Sequence, residues 1–313
     1  MKRKLLIAAL VLVLAGAILF LAGVIVNGSA PSPLFTAEER TIVIEEPFTD
    51  IAIDAGSCNI TIEKTDGQAR VETKLCGALN PEIGVRDGVL TVSTDEYMHF
   101  GLHSFSDRIT VYLPDGKCTS ADIEVTSGSV EIGAVSFSGQ LKTETTSGSV
   151  KLDAVSCEGE LSVRTTSGSI KLNAVSCGSD LTLETTSGSI KLNAVSCEGE
   201  IKTQTTSGSI ALDAVSTPAG TALTATSGSV TVKDLTAAHL DAKTTSGSIK
   251  LDRCGAESME LTVSSGDISG TIAGSRIFEC STGSGSVRVP ETAEGGLCKI
   301  RTGSGSIHME IAE

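Results

Sequence analysis

The pentapeptide Thr-Ser-Gly-Ser-[Ile/Val] returns along this chain with its glycine at Gly128, Gly148, Gly168, Gly188, Gly208, Gly228 and Gly247, a step of 20 residues five times and then 19. Weaker copies keep the step through Ser265-Gly266-Asp267, Gly283-Ser284-Gly285-Ser286 and Gly303-Ser304-Gly305-Ser306. A fixed period of this length predicts one structural unit stacked many times, each copy touching only its neighbours.

The pattern within one copy says what the unit is. Side chains alternate in Leu161-Ser162-Val163-Arg164-Thr165-Thr166, and again after the turn in Ile170-Lys171-Leu172-Asn173-Ala174. Period-two alternation with β-branched residues predicts two short strands per copy, each with one inward face. No 3.6-residue apolar spacing supports a helix here. One such pair cannot bury its apolar side alone, so the reading is all-β: a parallel β-solenoid with coils of about 20 residues, each rising about 4.8 Å on the last. Ten coils would form a rod on the order of 50 Å long.

The predicted turn glycines are Gly128, Gly148, Gly168, Gly188, Gly208, Gly228, Gly247, Gly266, Gly285 and Gly305. The expected reason is positive φ in a tight reversal, with the flanking serines bonding free turn groups. A flat threonine array could instead suggest an ice-binding face. The outward charges Lys142, Glu144, Arg164, Glu184 and Lys202 break up such a surface.

The N-terminus sets the compartment. Lys2-Arg3-Lys4 precedes Leu5 to Val26, 22 residues without a charge, enough to cross a hydrocarbon core as a helix. The basic flank stays cytoplasmic and places the repeats outside the cell membrane. A cleaved signal peptide is the rival, since Gly28-Ser29-Ala30 suits a peptidase; the length of the apolar run favours an uncleaved anchor. The expected organisation is a cytoplasmic flank at 1–4, a transmembrane helix at 5–26, a linker at 27–40, irregular first coils or a cap at 41–116, and regular coils at 117–313.

Without Lys2, Arg3 and Lys4, the body has 21 basic against 38 acidic residues. That balance disfavours nucleic acid and anionic lipid as ligands. It leaves cations, basic proteins and glycans open; the partners expected are a cell-surface protein or a glycan, with self-association also possible. No tryptophan and 3% aromatic content weaken a stacking-based sugar or base site.

Nine cysteines outside a membrane would ordinarily signal disulfides. Aligned on the repeat, Cys58 falls in the slot of Ile170, Cys298 in that of Leu161, Cys280 in that of Val163 and Cys254 in that of Val175, all core slots. Cys157, Cys177 and Cys197 share one slot with Phe137 and Thr217. The expectation is therefore buried thiols rather than a disulfide framework. Zinc is not expected, because three thiols in one ladder do not converge tetrahedrally and no Cys-x-x-Cys occurs. His99 and His103 fall between strand patterns, so their four-residue spacing does not put them on one helix face. Asp153, Asn173, Asn193 and Asp213 offer calcium-type oxygen ligands. Lys151, Lys171 and Lys191 lie beside them, however, and make a self-neutralised outer face.

The runs Phe48-Thr49-Asp50-Ile51-Ala52-Ile53, Ala55-Gly56-Ser57-Cys58-Asn59-Ile60-Thr61-Ile62 and Ile109-Thr110-Val111-Tyr112-Leu113-Pro114, followed by serial Ser-Gly-Ser turns, resemble the bacterial putative adhesin family of the domain of unknown function 4097 type. The likeness spans roughly Thr41 to Glu313. It implies a β-solenoid surface protein with no catalytic residues and no cofactor, and through members tied to envelope-stress systems it also admits a regulatory or sensor role. The function expected is a non-catalytic, membrane-anchored surface protein, an adhesin or envelope scaffold. A β-helix polysaccharide-active enzyme is the remote alternative, because coils closed in 20 residues leave no long loops to wall a cleft. The last repeat, ending at Glu313, is expected to close the rod as a bare strand edge guarded by Glu310 and Glu313, where self-association could occur.

Overall fold

The computed structural model describes residues 37–76, 81–94 and 107–312. These form a parallel β-solenoid of about 10 turns, and no helix occurs among the described residues. The expected transmembrane helix at 5–26 and the His99/His103 segment lie outside the described residues. The first strand, Ala37–Val43, begins inside the span read as linker.

In the regular body each coil has a first wall strand such as Leu161–Thr165, the Ser-Gly-Ser turn, and a longer strand such as Ile170–Cys177. Neighbouring copies pair in parallel and in register, so that Leu161 opposes Leu181, Leu172 opposes Leu192 and Cys177 opposes Cys197. Identical side chains therefore stack in columns. Leu161, Val163, Ile170 and Leu172 have no exposed surface, whereas Lys171 is exposed. Alternation in the sequence is thus converted directly into an apolar interior and a charged exterior. Each buried leucine contributes roughly 1.5–3 kcal/mol of transfer free energy.

The second strand bends at a residue the sequence reading did not single out. Ala134, Ala154, Ala174, Ala194 and Ala214 all have φ between 51° and 55°, and Asp234 and Arg253 continue the column at 49° and 50°. These residues sit in the left-handed region, which costs an L-residue on the order of 1 kcal/mol. The bend turns Val175 and Cys177 onto a short third side of the coil, with Val175 2% and Cys177 3% exposed.

The two ends depart from chain order. At the N-terminal end, the coil formed by Asp50–Ala55 and Asn59–Thr65 is sandwiched between a later coil, Val89–Ser93 with Arg108–Pro114, and the first regular coil at Ser120–Ser127 and Val130–Gly133. Antiparallel strands Arg70–Cys76, Ala37–Val43 and Glu82–Arg86 then close that end. The irregular segment 41–116 thus supplies both extra coils and a cap.

At the other end, strands Gly296–Ser304 and Ile307–Ala312 slot between the coil of Met259–Ala273 and the coil of Arg276–Arg288. The terminal layer is therefore Arg276–Arg288. This overturns the expectation that the last strand is the terminal layer guarded by Glu310: that strand pairs with Ile268–Ala273 on one side and is covered on the other by Val287–Arg288 at Ile307 and His308.

Candidate functional site: a groove along the rod

One groove of about 630 Å³ runs along the outer flank of the first wall. Two columns build it. The first is the outward register series Asp54, Glu124, Glu144, Arg164, Glu184 and Gln204. The second is the threonine two residues later in each regular coil, from Thr126 to Thr206, at the lip of the turn. Since stacked strands are about 4.8 Å apart, the groove presents the same threonine hydroxyl at every step of that length, while the charged column changes sign at Arg164 and is neutral at Gln204.

Ion pairs tie the charged column together. Lys142 lies 3.2 Å from Glu124 and 3.5 Å from both Asp122 and Glu144, and Arg164 lies 3.2 Å from Glu184. The hydrogen bond to Glu124 is the main cause of an upward shift in the Lys142 pKa, so the ammonium stays charged. These side chains are a third to a half exposed, so each pair adds little to stability. Their effect is to orient the column.

The predicted turn glycines form a single continuous column beside this groove. The expected positive φ holds at five of the ten positions and not at the other five. Gly148, Gly168, Gly188, Gly208 and Gly228 have no positive φ, and Gly128, Gly247, Gly266, Gly285 and Gly305 lie between 143° and 158°. What excludes a side chain is the stack itself: a Cβ on Gly168 would overlap the carbonyl oxygen of Gly148, and one on Gly188 that of Gly168. A buried threonine three residues before the glycine also uses this approach in the central coils. Thr165 donates to the Gly148 carbonyl at 3.0 Å, Thr185 to that of Gly168 at 2.9 Å and Thr205 to that of Gly188 at 2.9 Å. The serine after each glycine accepts from the next coil, as where Ser169 N–H meets Ser149 Oγ at 3.3 Å. The same column records the exchanged end, because Gly305 abuts Gly266 and Gly285 abuts Gly305.

The other candidates are structural. The Asp153–Asn173–Asn193 column is an amide ladder, Asn173 donating to Asp153 and Asn193 to Asn173, both at 2.6 Å, and Asp213 pairs with Lys233 at 3.1 Å. No group of three or more His, Cys, Asp or Glu side chains suited to a metal occurs among the described residues.

Cys58, Cys118, Cys157, Cys177, Cys197, Cys254 and Cys298 are buried free thiols, and Cys280 is half-buried. Burial pushes Cys58 and Cys298 up to about 12, and Cys157 and Cys254 up to about 11. Cys298 and Cys280 occupy the predicted core columns. Cys58 does not: Ile60 opposes Val130, so Cys58 stands in the glycine column beneath Gly128, where its carbonyl meets that glycine. Gly56 stands two residues before the glycine column, opposite Thr126, so laying Gly56-Ser57 on Gly168-Ser169 misplaced Cys58 by two residues.

The sequence pattern of Toastrack DUF4097 matches residues 48–215 and 199–313. The chain belongs to the Toastrack DUF4097 family. No curated protein matches it. Solved structures similar to this Toastrack chain include a putative adhesin from Parabacteroides merdae, at 16% identity and TM-score 0.47 over 88% of this chain and 96% of that one. A putative adhesin from Bacteroides fragilis aligns at 17% identity and TM-score 0.41 over 89% and 99% of the two chains. A protein described as a putative lipid binding protein from Parabacteroides distasonis aligns at 16% identity and TM-score 0.40 over 88% and 97%.

Proposed function

We propose that this protein is a non-catalytic scaffold of the cell surface, held in the membrane by Leu5–Val26, whose rod presents its flank groove to a surface protein or glycan. The observation that carries the reading is the in-register repetition of the groove. Thr146, Thr166 and Thr186 recur in successive coils beside Glu144, Arg164 and Glu184. A row of identical hydroxyls at a fixed step, flanked by charges of both signs, suits an extended ligand that meets several coils at once, with weak contacts adding through multivalency. Chemistry on a substrate would instead ask for singular groups converging on one point. The groove is polar and lacks aromatic side chains, so its ligand would be held by hydrogen bonds and charge.

Two measurements test this. The body from Ala37 to Glu313, immobilised, should capture intact cells or a purified wall polymer, and Thr146→Lys with Thr166→Lys and Thr186→Lys should abolish capture while leaving the melting curve in place. Capture that survives the triple variant would remove the groove from the function. Protease added outside intact protoplasts should degrade the repeats; repeats cut only after lysis would reverse the topology.

A further inference from the structure

We propose that the terminal coil, Arg276–Arg288, is the docking surface for the same coil of a second copy, joining two rods tip to tip about a two-fold axis. This rests on the end geometry and is independent of the groove.

The terminal layer has the make-up of an interior layer, and no strand lies above it among the described residues. Phe278 and Cys280 stand over the buried Cys298 and Ile300, and Val287 stands over the buried Ile307. Here Val287 is 44% exposed, and Ile277 on the outer face is 42% exposed. Three exposed large hydrophobic residues occur in the described structure, and two of them lie in this coil. The opposite end is closed by antiparallel strands that carry Glu38, Glu39 and Arg40 along the last of them. The terminal coil has no such strand among the described residues.

Among the described residues its backbone is also unpaired on one side. The Ser284 and Ser286 carbonyls accept from Gly305 and Ile307 in the layer below. By the alternation of a strand, the N–H and C=O groups of Ile277, Glu279 and Ser281 therefore aim away from the rod. A partner for this surface must bring a strand to each of two opposed walls, with an apolar layer between them. A second copy of the same end does this by symmetry, because a two-fold axis through both walls preserves the inward faces and makes each new pairing antiparallel.

The side chains are compatible with that axis passing at Cys280. Glu279 would then face Ser281 of the second copy, Phe278 would face Thr282 and Arg276 would face Ser284, so no like charges are directly opposed. Cys280 would meet its own counterpart in a non-hydrogen-bonded pair, where Cα atoms approach to about 4.5 Å, within disulfide range. Cys280 is also half-buried, whereas Cys58, Cys118, Cys157, Cys177, Cys197, Cys254 and Cys298 are buried.

The joint consists of one coil from each copy, whereas a stable complex buries roughly 800 Å² per partner, so the association should be weak and concentration-dependent. The full chain in neutral detergent should double its protein mass in sedimentation as concentration is raised. Glu279→Pro removes one outward N–H without touching the ladder below, and should abolish the doubling, as should Phe278→Glu. Diamide, which takes two electrons and two protons from a pair of thiols, should trap a covalent dimer. That dimer should be lost in Cys280→Ser and retained in Cys298→Ser.

A chain that stays monomeric overturns the proposal, as does a dimer indifferent to both tip variants, which would place the contact elsewhere. Growth beyond two copies would replace the two-fold joint with head-to-tail stacking. If either tip variant fails to fold, cross-linking of the parent chain still decides the matter: dimers bridged through any other cysteine refute it.

Discussion

Replacing Gly188 by alanine isolates what the glycine column is for. If the glycine were needed for positive φ, alanine would meet local backbone strain of about 1 kcal/mol. The structure demands more. The new Cβ would overlap the Gly168 carbonyl oxygen, a backbone atom with no rotamer to escape into. Relief requires the two coils to part at this corner. Thr185 donates to that same oxygen at 2.9 Å, and Ser189 N–H reaches Ser169 Oγ at 3.4 Å. Losing the better bond costs about 1 kcal/mol, and forcing atoms into a filled interior costs a further 1–3. Gly188→Ala should therefore destabilise by about 2–4 kcal/mol. Gly133→Ala is the control: nothing lies within 4 Å of its added Cβ and its φ is not positive, so alanine should stabilise by about 0.5 kcal/mol through the unfolded chain. Denaturant melts of the two variants, with hydrogen exchange to localise the loss, because stacked repeats can open in parts, read the contrast. Equal melts, or protection lost only within one coil rather than across the Gly168–Gly188 contact, would refute the close-approach account.

Three further outcomes follow from burial. Leu172→Asp puts a carboxylate in a column with no exposed surface and should cost several kcal/mol, whereas Lys171→Asp on the outer face should cost less than about 1; similar melting shifts would reject the register. The Thr203 hydroxyl is buried with no hydrogen-bond partner, so Thr203→Val should stabilise by about 1–2 kcal/mol in the same melts. The thiols of Cys58, Cys157, Cys254 and Cys298 are raised by burial from 9.0 to about 11–12. Their neutral forms support the fold fully below about pH 9, and that support is lost as pH climbs towards 12; at pH 8, iodoacetamide followed by mass spectrometry should find Cys280 labelled well before these four.

Much of the body was legible because one-dimensional stacking makes sequence period and spatial neighbour the same thing. Leu161, Val163, Ile170 and Leu172 read as core from alternation alone and are fully buried. The corner at Ala174 was not legible. A left-handed φ of 51° normally advertises itself through glycine or asparagine, and here alanine takes the strain while a whole column of coils holds it in place. The groove was half legible: its charges were read as a solvated face, and only in-register pairing shows that Glu144, Arg164 and Glu184 form one continuous lip with the threonines.

Layer order was the least legible feature, for a physical reason. Every coil offers the same ladder of donors and acceptors to whatever lies above it, so local pairing energy does not distinguish a neighbour one repeat away from one two repeats away. The connections decide. After Ala273 the chain turns through Gly274, at φ 72°, and enters the outermost layer at Arg276, leaving a vacant slot behind it. It returns through 289–295 and refills that slot with Gly296–Ser304. The signal for this is Gly295-Gly296: a Cβ on Gly295 would overlap the Ser275 carbonyl oxygen, and one on Gly296 that of Glu257. The returning strand thus threads between two backbones already in place, and only residues without side chains pass. Read as two more turn glycines, the pair continues the repeat; read as an entry between layers, it places the strand that ends at Ala312 inside the stack and leaves Phe278 and Val287 at the tip.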